Sequence, residues 1–282
     1  MTNEQDLRIS FEFFPPKTEK GVVKLKGVRN ELNKAQPDFY SVTYGAGGST
    51  RTNTQSLVSQ MKDEGLSVAP HLSFGGDDEE MMLSLLDTYK HMGVDRIVAL
   101  RGDIPSGIGG TAQLVYANEL TAFIRKHHGD HFHLEVAAYP EIHPEANSYD
   151  EDIRYLKGKF DVGANSAITQ YFFNPDAYFY FIEQCDKVGI TQDIYPGIMP
   201  ITNYKNLARF SQNCGADIPR WIAKRLDSYG DDMQSIASFG SDLITELCET
   251  LIDIGAPGLH FYTMNQAEPN LTILRNLKLS DN

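Results

Sequence analysis

The chain has 282 residues, 41% of them hydrophobic, and a formal net charge of -13 from 25 Lys+Arg against 38 Asp+Glu. This composition permits a substantial core, and the negative charge opposes binding to nucleic acid or to an anionic membrane. No apolar run approaches the ~20 residues of a membrane span, and the first ten residues lack the features of a signal peptide. The three cysteines are scattered and lack the spacing of metal ligands. We therefore expect a cytoplasmic protein with reduced thiols and no bound metal.

Short β-branched or aromatic segments alternate along the chain with longer amphipathic stretches, as in repeated βα units. Helices are predicted between the strands, for example at residues 22–32, 78–91 and 112–127, and extra helices at 203–212 and 236–251 fill the last gap. The eight predicted strands span residues 9–14, 39–44, 67–72, 96–100, 134–139, 167–172, 193–198 and 259–263. Without a visible linker, this pattern predicts a single (β/α)₈ TIM barrel domain over residues 1–282. A doubly wound parallel sheet is the alternative.

The first predicted strand, in SFEFFPP at residues 10–16, carries one acid, Glu12. A strand buried on both faces normally reads as a near-continuous apolar run. An acid there is unfavourable unless it is paired, protonated or used in chemistry. One interpretation is a capped structural carboxylate. The other is a general acid whose neutral form is favoured by the rings of Phe11, Phe13 and Phe14.

Barrel enzymes carry their chemistry at the C-terminal ends of the strands. Polar or unusual residues concentrate there in this chain, at Glu12, Thr43, His71, Arg101, Asp103, Tyr139, His143, Gln170 and Tyr262. Random placement would scatter such residues to both ends, so the clustering favours a single polar face. For Arg101 a salt bridge at the rim remains the competing interpretation, and for Gln170 a satisfied core amide.

Two loops invite more specific interpretations. GAGGST, at residues 45–50, lacks the G-x-G-x-x-G spacing of a dinucleotide fingerprint, so a dinucleotide here would bind without a Rossmann unit. In VAAYPEIHPEA, at residues 136–146, the prolines forbid the helix of an H-E-x-x-H metal site. A rim that binds the ribose or phosphates of a cofactor fits better, with Lys159 in the next predicted helix as a source of positive charge.

Eight motifs in order, from residue 9 to about residue 265, resemble the methylenetetrahydrofolate reductase family. They are SFEFFPP, FYSVTYGAGG, VAPHL, RIVALRGD, VAAYPEIHPEA, ANSAITQYFF, YPGIMPI and LHFYTMN. The length is similar to that of the short bacterial catalytic form, which has no C-terminal regulatory domain. The resemblance implies a homo-oligomeric barrel enzyme with non-covalent FAD at its C-terminal face. NADH or NADPH reduces the flavin and leaves, and methylenetetrahydrofolate then takes the same site and becomes methyltetrahydrofolate for methionine synthesis, a ping-pong reaction.

The resemblance also implies roles for individual residues. Glu12 would donate the proton that helps open the folate imidazolidine ring to an iminium ion. Asp103 would bond the pterin and favour that cation electrostatically, while Gln170 would bond the pterin and Phe210 would pack against either substrate. The implied FAD contacts are Thr43, His71, Arg101, Gly102, Asp103, Tyr116, Ala138, Tyr139, His143, Asp152 and Lys159.

Two positions depart from the pattern of the family. Gln266 stands where the enterobacterial type has an Arg that contacts the glutamate tail of the folate, so that charge contact is missing or supplied elsewhere. Tyr155 replaces an Asn expected near the FAD pyrophosphate.

Two other functions compete with this interpretation. One is a pterin-binding barrel that transfers a one-carbon group without flavin, and the other is a non-catalytic FAD-binding relative that acts through partners. Releasable FAD would exclude the first. Bleaching by NADH followed by re-oxidation with methylenetetrahydrofolate would exclude the second.

Overall fold

The computed structural model describes residues 7–44, 51–74, 79–101 and 116–280. The strands are β1 (Arg8–Phe13), β2 (Phe39–Val42), β3 (Val68–Leu72), β4 (Arg96–Ala99), β5 (His133–Ala138), β6 (Ser166–Tyr171), β7 (Ile194–Ile198) and β8 (Gly258–Tyr262). The helices are α1 (Glu19–Leu32), α2 (Arg51–Asp63), α3 (Glu79–His91), α4 (Ala117–His128), α5 (Tyr149–Asp161), α6 (Pro175–Lys187), α7 (Tyr204–Cys214), α8 (Arg220–Ser228), α9 (Met233–Asp253) and α10 (Glu268–Asn276). Among these helices, none is long and apolar enough to cross a membrane.

The eight strands form a closed parallel barrel in chain order, and β8 pairs with β1 to complete it. The predicted (β/α)₈ barrel is therefore confirmed, and the doubly wound sheet is wrong because that sheet stays open at two edges. Three helices, α7, α8 and α9, lie between β7 and β8, where extra helices were predicted.

The barrel has two apolar cores because alternate residues of each strand point to opposite faces. Outward-facing side chains pack against the helices in a large cluster that includes Phe11 and Phe13. A small cluster fills the barrel itself, and its members are Phe39, Ala69, Val98, Ile168 and Tyr195. They come from the N-terminal or middle part of their strands, so the interior nearer the C-terminal ends is left to polar side chains.

The N-terminal end of the barrel contains a charged network around Glu135, whose side chain is fully buried. Arg96 pairs with one carboxylate oxygen, and the Ser166 hydroxyl donates to the other at 2.6 Å. Burial alone would raise the pKa of Glu135, but hydrogen bonding from His133 and the charge of Arg96 outweigh it and hold that pKa below its ordinary value. This network lies opposite the face where barrel enzymes carry out chemistry, and it serves stability.

Candidate active site

The Glu12 carboxylate lies between two histidines inside the barrel. Its Oε2 atom is 3.3 Å from Nε2 of His71, on β3, and 3.9 Å from Nε2 of His260, on β8. The side chain of Glu12 is 19% exposed, whereas those of His71 and His260 are 10% and 1% exposed. The acid therefore faces the barrel mouth and has imidazoles behind it.

His260 is held in place by groups on two other strands. Ser10 Oγ lies 2.7 Å from Nδ1 of its ring, and the Phe39 ring stacks on it with centroids 6.0 Å apart. Because Nδ1 is engaged by Ser10, Nε2 is the nitrogen that faces Glu12. Burial lowers the pKa of His71 against the opposing effect of the Glu12 charge. The arrangement brings one carboxylate and two buried imidazoles together, and histidine commonly takes part in proton transfer in active sites.

The expectation that three phenylalanine rings surround Glu12 is wrong. Phe11 and Phe13 point to the opposite face of β1, where both stack on Tyr40 with centroid distances of 6.0 and 5.4 Å. Phe14 is 36% exposed. Side chains alternate along a strand, so immediate sequence neighbours of an inward-facing residue face outward. An acid role for Glu12 therefore depends on the histidines of β3 and β8.

Residues after β8 hold the backbone at Glu12 and at Phe14, two residues further on. The Thr263 hydroxyl donates to the Glu12 carbonyl oxygen at 2.6 Å. The Asn265 side chain bonds Phe14 twice, accepting from its N–H at 3.1 Å and donating to its carbonyl oxygen at 2.8 Å. Asn265 has φ +55°, a left-handed conformation that asparagine tolerates better than most residues. Gln266 follows this junction and is exposed.

A second group of predicted residues lies on β5, α5 and the loop between them. The His143 N–H donates to Asp152 at 2.8 Å, and the His143 ring meets the Tyr139 ring edge-on at 4.5 Å. The Lys159 ammonium donates to the Ala137 carbonyl oxygen at 2.7 Å. Burial lowers the pKa of Lys159 to about 8, with the charge of Asp152 opposing that shift. Ala138 packs among the outer core residues, 2% exposed, so only its backbone remains for a ligand.

Arg101 lies at the rim and makes the salt bridge that was its alternative interpretation. Its partner is Glu145, and its guanidinium is 5.5 Å from the ring centroid of Tyr116. Tyr116 and Tyr155 are 55% and 56% exposed, and the Tyr155 hydroxyl donates to Glu151 at 2.9 Å. Two predicted site residues, Gly102 and Asp103, lie outside the described residues, as does the glycine segment 45–50.

Gln170 lies near the β5 group, and Phe210 lies on α7. Gln170 lines a small pocket together with Tyr139, Glu141 and Cys214. Glu141 accepts from the Asp217 N–H at 2.9 Å, and burial raises its pKa. Phe210 is partly exposed, with the Arg209 guanidinium 5.3 Å from its ring centroid.

The comparisons with known proteins identify the family. The family model described as Methylenetetrahydrofolate reductase matches residues 1–278. The 5,10-methylenetetrahydrofolate reductase of Escherichia coli K12 is 38% identical over 272 residues, which cover 96% of this chain and 90% of that protein. The chain belongs to the methylenetetrahydrofolate reductase family.

Two further comparisons show how far the likeness extends. The maize protein named methylenetetrahydrofolate reductase (NADH) 1 is 37% identical, and the match covers 96% of this chain but 48% of the maize protein. A solved structure of an uncharacterised Clostridium thermocellum protein, reported to bind two copies of 5-methyl-5,6,7,8-tetrahydrofolic acid, aligns with a TM-score of 0.67 at 18% identity. That alignment covers 96% of this chain and 95% of the other, and it supports the fold.

In this member of the family, two hydroxyl groups beside Glu12 are suited to a polar ligand. Ser41 Oγ and Thr43 Oγ1 are buried and have no hydrogen-bond partner within the described part of the chain. Ser41 pairs directly with Glu12 between β2 and β1, and Thr43 follows on the same face. Buried polar atoms are normally paired, so these hydroxyls, with the amine of Lys159, fit the many acceptors and donors of a dinucleotide such as FAD. The described ranges contain no cluster of three or more His, Cys, Asp or Glu side chains suited to a metal ion.

Sequence reasoning missed Ser10 and His260 as parts of the site. A usable signal was present, because Ser10 precedes Glu12 by two residues and His260 precedes Tyr262 by two. Residues two apart on a strand share a face, so both were placed toward the barrel interior by the same argument that pointed Glu12 there. Asn265 and Glu141 lie within the motifs LHFYTMN and VAAYPEIHPEA but received no role, because loop residues follow no strand or helix period.

Proposed function

We propose that this protein reduces 5,10-methylenetetrahydrofolate to 5-methyltetrahydrofolate, the methyl donor for methionine synthesis, with NADH or NADPH as reductant. The two substrates use one site in turn, beside a non-covalent FAD that supplies the hydride-transfer chemistry when bound. The observation that carries the proposal is the Glu12 carboxylate at the barrel mouth with two histidines within 4 Å, in a chain of this family. A homo-oligomer is the expected assembly.

The proton chemistry is assigned to Glu12. Opening the five-membered ring of the folate requires a proton on the nitrogen that leaves the methylene carbon, and Glu12 in its acid form is proposed to give it. The Glu12 side chain is 19% exposed at the barrel mouth, so solvent can return the proton before the next turnover, while His71 and His260, which Ser10 orients, line the other side of the carboxylate. Asp103 is proposed to stabilise the resulting iminium cation with its negative charge.

The other predicted residues are assigned to binding. Thr43 and His71 offer polar groups beside Glu12, and Lys159 would supply a positive charge for a phosphate of the cofactor. Gln170 is proposed to bond the edge of the pterin, since a primary amide both donates and accepts. The remaining proposed cofactor contacts are Arg101, Gly102, Asp103, Tyr116, Ala138 and Asp152.

At the periphery of the site, Phe210 is proposed to pack against either substrate. Gln266 is proposed to contact the glutamate tail of the folate through its uncharged amide, where the enterobacterial type has a charged Arg. An uncharged contact should distinguish poorly between folates that carry different numbers of glutamates.

A two-step anaerobic assay tests the function. The purified protein, saturated with FAD, should lose its flavin absorbance when NADH or NADPH is added, and methylenetetrahydrofolate should restore it after the nucleotide is removed. Acid precipitation should leave all flavin colour in the supernatant, because the chain offers no recognisable attachment motif. A protein that binds no FAD but transfers a one-carbon group would support the flavin-free alternative. Bleaching without re-oxidation by the folate would show that the proposed substrate is wrong.

A further inference from the structure

Strand β6 has one residue too many for its neighbour β7, just where Gln170 lies. Ile168 pairs with Tyr195 and Tyr171 pairs with Gly197, so three steps along β6 match two steps along β7. The residue opposite this bulge is Pro196, which has no N–H to donate to a neighbouring strand. A bulge at that point re-aims the side chains of the strand that contains it.

Side chains, rather than the regular strand-to-strand ladder, provide hydrogen-bond partners for the backbone groups of the bulge. The Gly197 N–H donates to the Thr169 hydroxyl at 2.9 Å, and the Tyr171 N–H donates to the side-chain oxygen of Gln170 at 3.0 Å. The Thr169 carbonyl oxygen accepts from the Tyr262 hydroxyl at 2.7 Å. The last bond comes from β8, on the far side of β7, and it ties the residue immediately before Gln170 to the strand that pairs with β1.

Tyr262 reaches Thr169 only because the intervening residue is a glycine. A Cβ atom on Gly197 would lie 2.2 Å from the Thr169 carbonyl oxygen and 2.6 Å from the Tyr262 ring. The ring is further held edge-on against His260, with centroids 5.4 Å apart, and against Tyr171 at 6.2 Å. Burial raises the pKa of Tyr262 well above its ordinary value, so the hydroxyl keeps its proton and remains a donor.

We propose that Tyr262 is a positioning residue that holds the β6 bulge so that the Gln170 amide faces the pterin. With the Gln170 oxygen engaged by the Tyr171 N–H, the NH₂ end is the part of the amide left for an acceptor on the ligand. Tyr262 is also the β8 partner of Glu12, so one ring sets the spacing between the proposed acid and the proposed pterin contact. This inference rests on the proposed function, because it takes the ligand of Gln170 to be a folate.

A purely structural role would make Tyr262 equivalent to Tyr178. The Tyr178 hydroxyl, from α6, donates to the carbonyl oxygen of Ile194 on β7, also at 2.7 Å and in a buried setting. Removing either hydroxyl therefore deletes the same type of bond to a strand carbonyl, but only one of the two carbonyls adjoins Gln170. Tyr178→Phe is thus the matched control for Tyr262→Phe.

The first measurement is the dissociation constant of 5-methyltetrahydrofolate for each FAD-loaded variant, by titration calorimetry. Tyr262→Phe should weaken binding about tenfold or more, as expected when a binding group is displaced by a fraction of an ångström to 1 Å. Tyr178→Phe should change it less than twofold. Combined with Gln170→Ala, Tyr262→Phe should add little further loss, because it acts through Gln170. Equal losses in the two Tyr variants, or full additivity with Gln170→Ala, would overturn the proposal.

A second measurement does not depend on folate binding. The side-chain amide signals of Gln170 in a ¹⁵N-labelled sample should shift in Tyr262→Phe and stay in place in Tyr178→Phe. Gly197→Ala should shift them too, because its Cβ displaces the Tyr262 ring. If wild-type protein binds no folate while these signals move as expected, the proposed function fails and the positioning role stands. Signals that do not move in Tyr262→Phe would refute the positioning role.

Discussion

At the scale of single residues, the setting of Glu12 is supplied by distant parts of the chain. A general acid must recover its proton after each turnover. Solvent can return that proton at the barrel mouth, where the Glu12 side chain is 19% exposed; two buried imidazoles lie within 4 Å of the carboxylate, and Ser10 fixes the orientation of one of them. A structural carboxylate would need no such arrangement, since a cation or backbone N–H groups would neutralise it more effectively.

Replacing Glu12 with Gln should separate the two half-reactions. Hydride transfer from NADH to flavin needs no proton from Glu12, so bleaching should proceed at a near-normal rate. Folate ring opening does need it, and re-oxidation by methylenetetrahydrofolate should slow by about 10²–10⁴-fold. Stopped-flow absorbance measures both steps. Glu183→Gln, on the exposed side of α6, is the control and should leave both rates unchanged. Normal re-oxidation of Glu12→Gln would refute the acid role.

Lys159 predicts a pH dependence for cofactor binding. Burial lowers its pKa to about 8 in the folded protein, so its positive charge is present at pH 7 and is lost as the pH rises through 8. FAD affinity of the apoprotein should therefore fall between pH 7 and 9, and Lys159→Met should bind more weakly and lose this dependence. Fluorescence titration of FAD measures both. Lys157→Met, two residues earlier on α5 and paired with Asp161, should keep the pH dependence of the wild type.

The same pKa shift makes the stability of the apoprotein rise with pH, whereas the FAD affinity falls. The unfolded chain keeps Lys159 protonated up to its ordinary pKa of 10.5, whereas the folded apoprotein releases the proton near 8. Between these values the unfolded state binds more protons, so the contribution of Lys159 to the free energy of unfolding rises with pH. Urea unfolding of the apoprotein at pH 7 and pH 10 should show this rise in wild type relative to Lys159→Met. A difference of the opposite sign would contradict the assigned shift.

At the scale of elements, the junction of β1 and β8 is the contact that holds the acid in place. Asn265→Ala should lower the free energy of unfolding by about 2–3 kcal/mol, from two lost hydrogen bonds and a left-handed backbone without asparagine. Asn265→Gly loses the same two bonds but accepts φ +55° freely, so it should lose about 1 kcal/mol less. Urea unfolding measures both variants. Equal losses would mean that backbone conformation has no part in the effect.

The elements themselves were largely predictable from the sequence. Every strand was predicted to within one or two residues, because β-branched and aromatic segments stand out between polar helices. The helix α8 (Arg220–Ser228) received no prediction of its own. Its only buried residues are Ile222 and Leu226, which is too few to give a clear helical period. The β6 bulge was also missed, because it is a mismatch in register with the neighbouring strand, which the sequence of β6 alone does not reveal.

The placement of some proposed site residues on one face of the barrel was predictable, but their neighbours were predictable only in part. Position at strand ends placed Glu12 and His71 on one face, and the structure brings them into contact. The neighbours of Glu12 were predicted wrongly, because residues adjacent in sequence were taken as adjacent in space. Contacts such as Ser10 with His260 join residues 250 positions apart, and spacing within a single motif carries no information about them.

At the scale of the whole molecule, the two ends of the barrel are chemically different. At the N-terminal end, the charges of Arg96 and Glu135 are paired and hydrogen-bonded. At the other end, the Ser41 and Thr43 hydroxyls are buried without partners among the residues described. Paired charges stabilise the fold, whereas unpaired polar atoms reduce stability unless a ligand bonds them. FAD binding should accordingly raise the melting temperature.

Attachment of the long helix α9 to the barrel depends on Gly240. A Cβ there would lie 2.4 Å from the Ile201 carbonyl oxygen, beyond the end of β7. Gly240→Ala should therefore lower the free energy of unfolding by about 1–3 kcal/mol, through overpacking. Gly27→Ala, on α1 where nothing lies within 4 Å, should raise it by about 0.5–1 kcal/mol. Chemical denaturation of the two variants measures both effects, and a stabilised Gly240→Ala would contradict the close packing.

Closure of the barrel by β8 against β1 has a consequence for how the protein is made. Glu12 leaves the ribosome before the residues that bond its surroundings, Thr263 and Asn265, which follow some 250 positions later. Until then the nascent chain holds at most seven strands, with β1 and β7 as open edges that invite pairing with other chains. Glu12 therefore lacks its histidine partner from β8 until some 250 further residues have been translated. Chaperones that cover exposed strand edges should matter most during this interval.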